Sequence, residues 1–239
     1  MAPQKTEAII LKGPWKQRAG VCFELDNATI EPARTIRYLG INFDDRGKFA
    51  KHIEKMVTKA EARIGSLTRI MPNIGGPKSC KREVIWGTVQ SILLFGAPIW
   101  YREMTIKKYR EMMIKTQRKM LLRVASAYRT VSTKAVQVIT GIPPIELLVE
   151  ERKYIHDRPD GQTKQAKVVA RQITLDKWQT KWDETQNVAQ WTKMLIPDVR
   201  RWVRCNHRNI DYYMSQILTD HGSFKLFAQH IGKATGIRM

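Results

Sequence analysis

Only three of the 239 residues are cysteine, Cys22, Cys80 and Cys205, too few and too scattered for a disulfide framework. This usage fits a reducing, intracellular compartment, nucleus or cytoplasm, or thiols that are simply buried. Long apolar runs are lacking as well. The longest, Ile92 to Tyr101, is broken by Gly96 and Pro98 and is too short to span a bilayer. The opening MAPQKTE has no apolar signal core. A soluble chain with no membrane partner is therefore expected. Acidic residues are scarce: 22 Asp and Glu stand against 42 Lys and Arg, a net charge of +20. A field of that sign favours polyanions, nucleic acid or an anionic surface, and names a partner class without naming a reaction.

Patterns that carry chemistry are missing too. Gly75-Gly76-Pro77-Lys78-Ser79 ends in Lys-Ser like a phosphate-binding loop but lacks the leading glycine at the required spacing. His207, two residues after Cys205, with His221 and His230 beyond, does not have zinc-ligand spacing. The adjacent Asp44-Asp45 would point to opposite faces of a strand and lead into Arg46-Gly47, which reads as a turn rather than a metal site. No catalytic residue and no cofactor is expected in this chain.

What is present is helical periodicity behind a short β-rich start. Ala8 to Leu11, Val21 to Leu25 and Ile36 to Phe43 are short strand-like runs. Turn residues separate them at Gly13-Pro14, Asp26-Asn27 and Glu31-Pro32. After Gly47, Ile53, Met56, Val57, Ala60, Ile64 and Leu67 follow the spacing of a buried helical stripe. Val84, Ile85, Val89, Ile92 and Leu93 mark a second helix, and Ile106 through Val124 a third. Ser132 or Thr133 can cap a short fourth that ends at Gly141, and another runs from Ile145 to about Ile155. Residues 156–167 read as a polar linker. Trp178, Trp182, Trp191 and Trp202 beyond it read as core and anchor residues. The expected fold is mainly α with a small N-terminal antiparallel β part.

Two basic clusters stand out. Lys51, Lys55, Lys59 and Arg63 recur every four residues, so they project from one helical face about 6 Å apart along the axis. Such a row can follow a phosphate backbone; four contacts would give a log–log salt slope of about −3.6 on duplex. It can equally be a solvated face helped by Glu54 and Glu61. The second cluster, Lys115, Arg118, Lys119, Arg123, Tyr128 and Arg129, interleaves cations with one aromatic. It fits phosphate grip with base stacking, or an amphipathic helix with a basic exterior.

Taken in order, several segments resemble the reverse transcriptases of non-LTR, LINE-type retrotransposons of the R1 and jockey kind. Lys5-Thr6-Glu7 resembles the motif D lysine segment, and Arg37-Tyr38-Leu39-Gly40-Ile41 the primer grip of motif E. Phe49-x-x-His52-Ile53, Lys59-Ala60 and Pro72-Asn73-Ile74-Gly75-Gly76-Pro77 resemble the thumb. Leu94-Phe95-Gly96-Ala97-Pro98-Ile99-Trp100 resembles the thumb's end. Ala127 to Ser132, Gly141 to Ile145, Trp191-Thr192 through Pro197, and Leu218-Thr219-Asp220-His221-Gly222-x-Phe224 continue the likeness, with Asp220 where glycine is common.

The resemblance implies a palm remnant with a primer-grip hairpin at 1–46, a helical thumb at 47–130 and a helical C-terminal linker region at 131–239. It implies that Tyr38, Leu39 and Gly40 touch primer, that Lys5 lies near the nucleotide face, and that RNA template and DNA primer, or an RNA–DNA hybrid, are the partners. The Tyr-Ala-Asp-Asp segment that holds magnesium in the family, the upstream polymerase segments and the endonuclease are not in the sequence, so this chain alone is expected to be inactive in polymerisation. A binding module without chemistry and a relic of a dead element are the competing expectations.

Overall fold

The computed structural model describes residues 6–11, 21–25, 28–205 and 209–221. Lys5, the turns at Gly13-Pro14 and Asp26-Asn27, His207, His230 and the Gly222-x-Phe224 end of the last motif lie outside them. Within the described residues the molecule is mostly helical, with two small antiparallel strand pairs near the start.

The first pair is β1 (Phe23–Leu25) with β2 (Ala28–Ile30). The second is β3 (Thr35–Tyr38) with β4 (Ile41–Asp44), in a register that sets Arg37 opposite Asn42 and Tyr38 opposite Ile41. The run from Ile36 to Phe43 is thus two strands, folded back at Leu39-Gly40. Both turn residues have positive φ, 47° and 85°, as a two-residue hairpin turn of matching twist requires. The expected strand at Ala8 to Leu11 is reduced to a single parallel bridge between Ala8 and Pro32.

Helices follow: α1 (Ala50–Thr68), α2 (Ser79–Leu93), the short α3 (Ala97–Trp100) continuing into a 3-10 turn at Tyr101–Thr105, α4 (Lys107–Val124) and α5 (Thr133–Thr140). Then come α6 (Ile145–Asp157), α7 (Lys164–Asp183), α8 (Gln190–Leu195), α9 (Val199–Arg204) and α10 (Tyr212–Thr219). The stripe predicted for α1 is the face it buries, Leu67 being only half-buried. On α2 the expected stripe is buried at Val89 and Leu93 and half-buried at Ile85 and Ile92, with one exception. Val84 is exposed, while Arg82, Trp86, Val89 and Leu93 turn inward. The Ser132 hydroxyl accepts from the Ala135 N–H and Gly141 closes α5 in the left-handed conformation, as the sequence indicates.

One apolar cluster runs from Ile53 on α1 through Trp100, Met120, Ile139, Leu148 and Trp182 to Leu218 on α10. Polar groups tie its halves together. Gln117, fully buried on α4, donates to the Pro143 carbonyl at 2.8 Å and accepts from Gln137 at 2.9 Å and from the Ile145 N–H at 3.1 Å. Residues 156–167 are no free linker. Helix α6 runs on to Asp157, α7 begins at Lys164, and the two pack against each other. A Cβ on Gly161 would sit 1.7 Å from the Ile155 carbonyl oxygen, so only glycine fits this corner. The three cysteines are exposed rather than buried. Among the described residues no single helix is long and apolar enough to cross a membrane.

Candidate nucleic-acid interface

The β3–β4 hairpin seats on the corner between α2 and α3. Gly40 approaches the Phe95 ring so closely that a Cβ there would lie 3.1 Å from it. A Cβ on Gly96, whose φ is +66°, would meet the Ile41 side chain at 2.7 Å. These two glycines let the segments Tyr38-Leu39-Gly40 and Leu94-Phe95-Gly96 pack closely, each making room for the other. The tip of the hairpin, Tyr38 and Leu39, stays 64% and 80% exposed beside this contact.

Between the hairpin, α1 and α2 lies a groove of about 560 Å³. Its charged lining is Arg37, Lys55 and Lys59, and among the described residues no carboxylate borders it. His52 forms part of its wall, 2% exposed. Its Nδ1 accepts the Asn42 N–H at 3.4 Å, which leaves Nε2 to donate to the Phe95 carbonyl, also at 3.4 Å. Burial pushes the His52 pKa below its ordinary value; the Phe95 hydrogen bond opposes that shift and Lys55 adds to it. Lys55 Nζ donates to Asn42 Oδ1 at 2.7 Å.

All four members of the α1 row, Lys51, Lys55, Lys59 and Arg63, are exposed. Their helix's two acids turn the other way: Glu54 pairs with Lys108 at 2.9 Å and Glu61 pairs with Lys119, both across to α4. Among the described residues none of the four cations has a carboxylate partner. The solvated-face reading invoked Glu54 and Glu61 as neighbours of the row, and the geometry directs them elsewhere.

The second cluster is placed differently. Lys119 is paired with Glu61. Arg118 donates to the Arg129 carbonyl at 2.7 Å, and burial lowers its pKa. The Tyr128 hydroxyl is hydrogen-bonded to that of Tyr212, and their rings meet edge-on at 5.8 Å. That bond, then burial, raises the Tyr128 pKa. Lys115 and Arg129 are exposed, and Arg123 is half-buried.

Sequence reasoning missed Arg82. Its side chain is buried without a carboxylate and donates to three carbonyls: Pro77 at 2.7 Å, Arg123 at 2.7 Å and Pro72 at 2.5 Å. It fastens the 71–78 loop to the end of α4. Gly76 is part of the same arrangement, because a Cβ there would meet the Pro72 oxygen at 2.3 Å. Asn42 was missed as well, since nothing local marks a strand asparagine as a lysine's partner.

Asp44 serves the turn, its Oδ1 accepting the N–H groups of Arg46 and Lys48. Among the described residues no three His, Cys, Asp or Glu side chains are placed to hold a metal ion. Trp178 and Trp182 are buried, and the indole N–H groups of Trp182, Trp191 and Trp202 donate to the carbonyls of Ile196, Ile217 and Ile139. They act as anchors.

No family model matches the chain. No solved structure matches it. Curated relatives do. A putative 115 kDa protein in the type-1 retrotransposable element R1DM of Drosophila melanogaster is 28% identical over 95% of this chain and 24% of its own length. A retrovirus-related Pol polyprotein from the type-1 retrotransposable element R1 of Bradysia coprophila is 26% identical, with the same coverage of both chains. Another of that description, from Nasonia vitripennis, is 30% identical over 62% of this chain and 45% of its own. The chain thus spans about a quarter of the length of the first two, 24% in each case. With relatives of one kind aligned along nearly its whole length, the chain is an R1-like retrotransposon protein.

Proposed function

We propose that this chain is the nucleic-acid-gripping portion of an R1-like reverse transcriptase, holding RNA template and DNA primer, or their hybrid, by the sugar–phosphate strand. In this reading the β3–β4 hairpin is the primer grip, α1, α2 and α4 form the thumb, and the helices from α5 onward are the C-terminal linker region. The chain's role is binding inside the cell, in nucleus or cytoplasm; bond formation belongs to carboxylates outside the described residues.

The observation that supports it most is the row from Lys51 to Arg63. All four are exposed and, among the described residues, unpaired with any carboxylate, and Lys55 and Lys59 line the groove together with Arg37 of the hairpin. Cations without a carboxylate partner keep their full attraction for phosphate, and each phosphate neutralised releases counterions. The purified chain should bind an RNA–DNA hybrid with an affinity that falls steeply as salt rises, at a log–log slope of about −3 to −4 for four contacts. Anisotropy titrations at several salt concentrations measure this. Binding that is absent at low salt, or insensitive to salt, contradicts the proposal.

A further inference from the structure

Of the cations lining the groove, Lys55 has a fixed address. Its ammonium donates at 2.7 Å to Oδ1 of Asn42, a residue only 5% exposed. Asn42 is itself held twice. It lies in β4 opposite Arg37, and its N–H is accepted by Nδ1 of the buried His52. His52 in turn is fixed by the Phe95 carbonyl through Nε2, and its ring lies 6.3 and 6.5 Å from those of Phe95 and Trp100. A chain of contacts therefore runs from the core to the tip of one long, otherwise flexible side chain. A lysine ammonium has three donors and a neutral amide takes one. Two remain for an anion, and the positive charge is undiminished.

We propose that Asn42, backed by His52, is a positioning residue that holds the Lys55 ammonium in the groove ready for a phosphodiester oxygen. This rests on the binding role proposed above and adds to it a mechanism for part of the affinity. Ordering a lysine on binding costs conformational entropy, and a side chain ordered in advance avoids that cost. A carboxylate at position 42 would hold Lys55 as firmly but would cancel its charge; the amide orders it without neutralising it.

The test is a double-mutant cycle on the full chain with a labelled RNA–DNA hybrid. Asn42→Ala should weaken binding about fivefold, the factor expected for freeing one ordered side chain. In a Lys55→Met background the same substitution should change nothing. Asn42→Asp is the second variant. It keeps the shape of the side chain, so it preserves the hairpin even if Asn42→Ala does not, and should lower the salt slope by about 0.9, the loss of one phosphate contact. Equal weakening by Asn42→Ala in both backgrounds, or an unchanged slope for Asn42→Asp, overturns the positioning role while leaving the groove as a binding surface. If Lys55→Met alone leaves hybrid binding unchanged, the groove reading itself fails and the positioning role goes with it.

Discussion

The two basic clusters look alike in sequence and are used differently in the fold. On α1 the cations stand in solvent, and two of them, Lys55 and Lys59, line a groove that no acid borders among the described residues. Around α4 and the loop after it, three of the side chains are tied to other protein groups, while Lys115 and Arg129 stay exposed. Arg118 reaches the Arg129 carbonyl, Lys119 takes Glu61, and Tyr128 takes Tyr212. The cause is the packing of α1 on α4, which places Glu54 and Glu61 against α4 lysines and removes them from their own helix's basic row. A carboxylate three or four residues from a lysine is thus no measure of pairing once a second helix competes for it. The groove side should matter for binding and the α4 side for stability.

The sharpest way to break that contrast is on the α4 side. Arg82→Ala leaves three carbonyls without their donor, and chemical denaturation should report a loss of about 3–4 kcal/mol. A loss under about 1 kcal/mol would mean that the 71–78 loop is held by something else. Gln117→Ala orphans the Pro143 carbonyl and the Ile145 N–H, and about 2–3 kcal/mol should disappear from the same measurement. Nucleic-acid binding by the folded fraction should be unchanged in both variants. Gly96→Ala acts on the groove side, forcing a left-handed alanine against Ile41. The expected cost is about 1–2 kcal/mol, with weaker hybrid binding because the hairpin loses its seat.

The smallest effect concerns pH. His52 is neutral in the fold, with burial holding its pKa below the ordinary value of about 6.5. Between the folded and unfolded values the unfolded chain takes the proton and the folded chain resists it. The stability is full above about pH 6.5 and falls as pH drops through that window. The charged groups sharing the groove with His52 are Arg37, Lys55 and Lys59, all positive, so none of them offsets the shift. Thermal melts from pH 7.5 to 5 should show the decline in the parent chain and a flatter profile in His52→Phe.

Much of the helical part was legible because its signals are local. The α1 stripe and the Ser132 and Gly141 caps follow from spacing and backbone geometry alone. The likeness to R1-type elements was carried by ordered motifs, and the structure supplies physical reasons for several of them. Gly40 and Gly96 interlock, and Gly76 makes way for Arg82. Asp220 sits in a left-handed helix cap where glycine is at ease. What stayed hidden was non-local. Arg82 reads as an exposed helical arginine until the Arg123 carbonyl arrives from 41 residues away. The polar 156–167 stretch reads as a linker because hydrophilicity marks a tight αα corner and a loose tether alike. The Lys55 partner lies on a strand whose hairpin partner had been merged with it into one run.

The most direct measurement compares charge reversals in the two clusters. Lys55→Glu/Lys59→Glu and Lys115→Glu/Lys119→Glu change net charge equally, so long-range attraction falls alike in both. The first pair should also flatten the salt dependence of hybrid binding by about 1.8, two phosphate contacts, while the second leaves the slope near that of the parent. Equal flattening by both pairs, or flattening only by the α4 pair, would contradict the assignment of the groove as the surface that meets the sugar–phosphate strand.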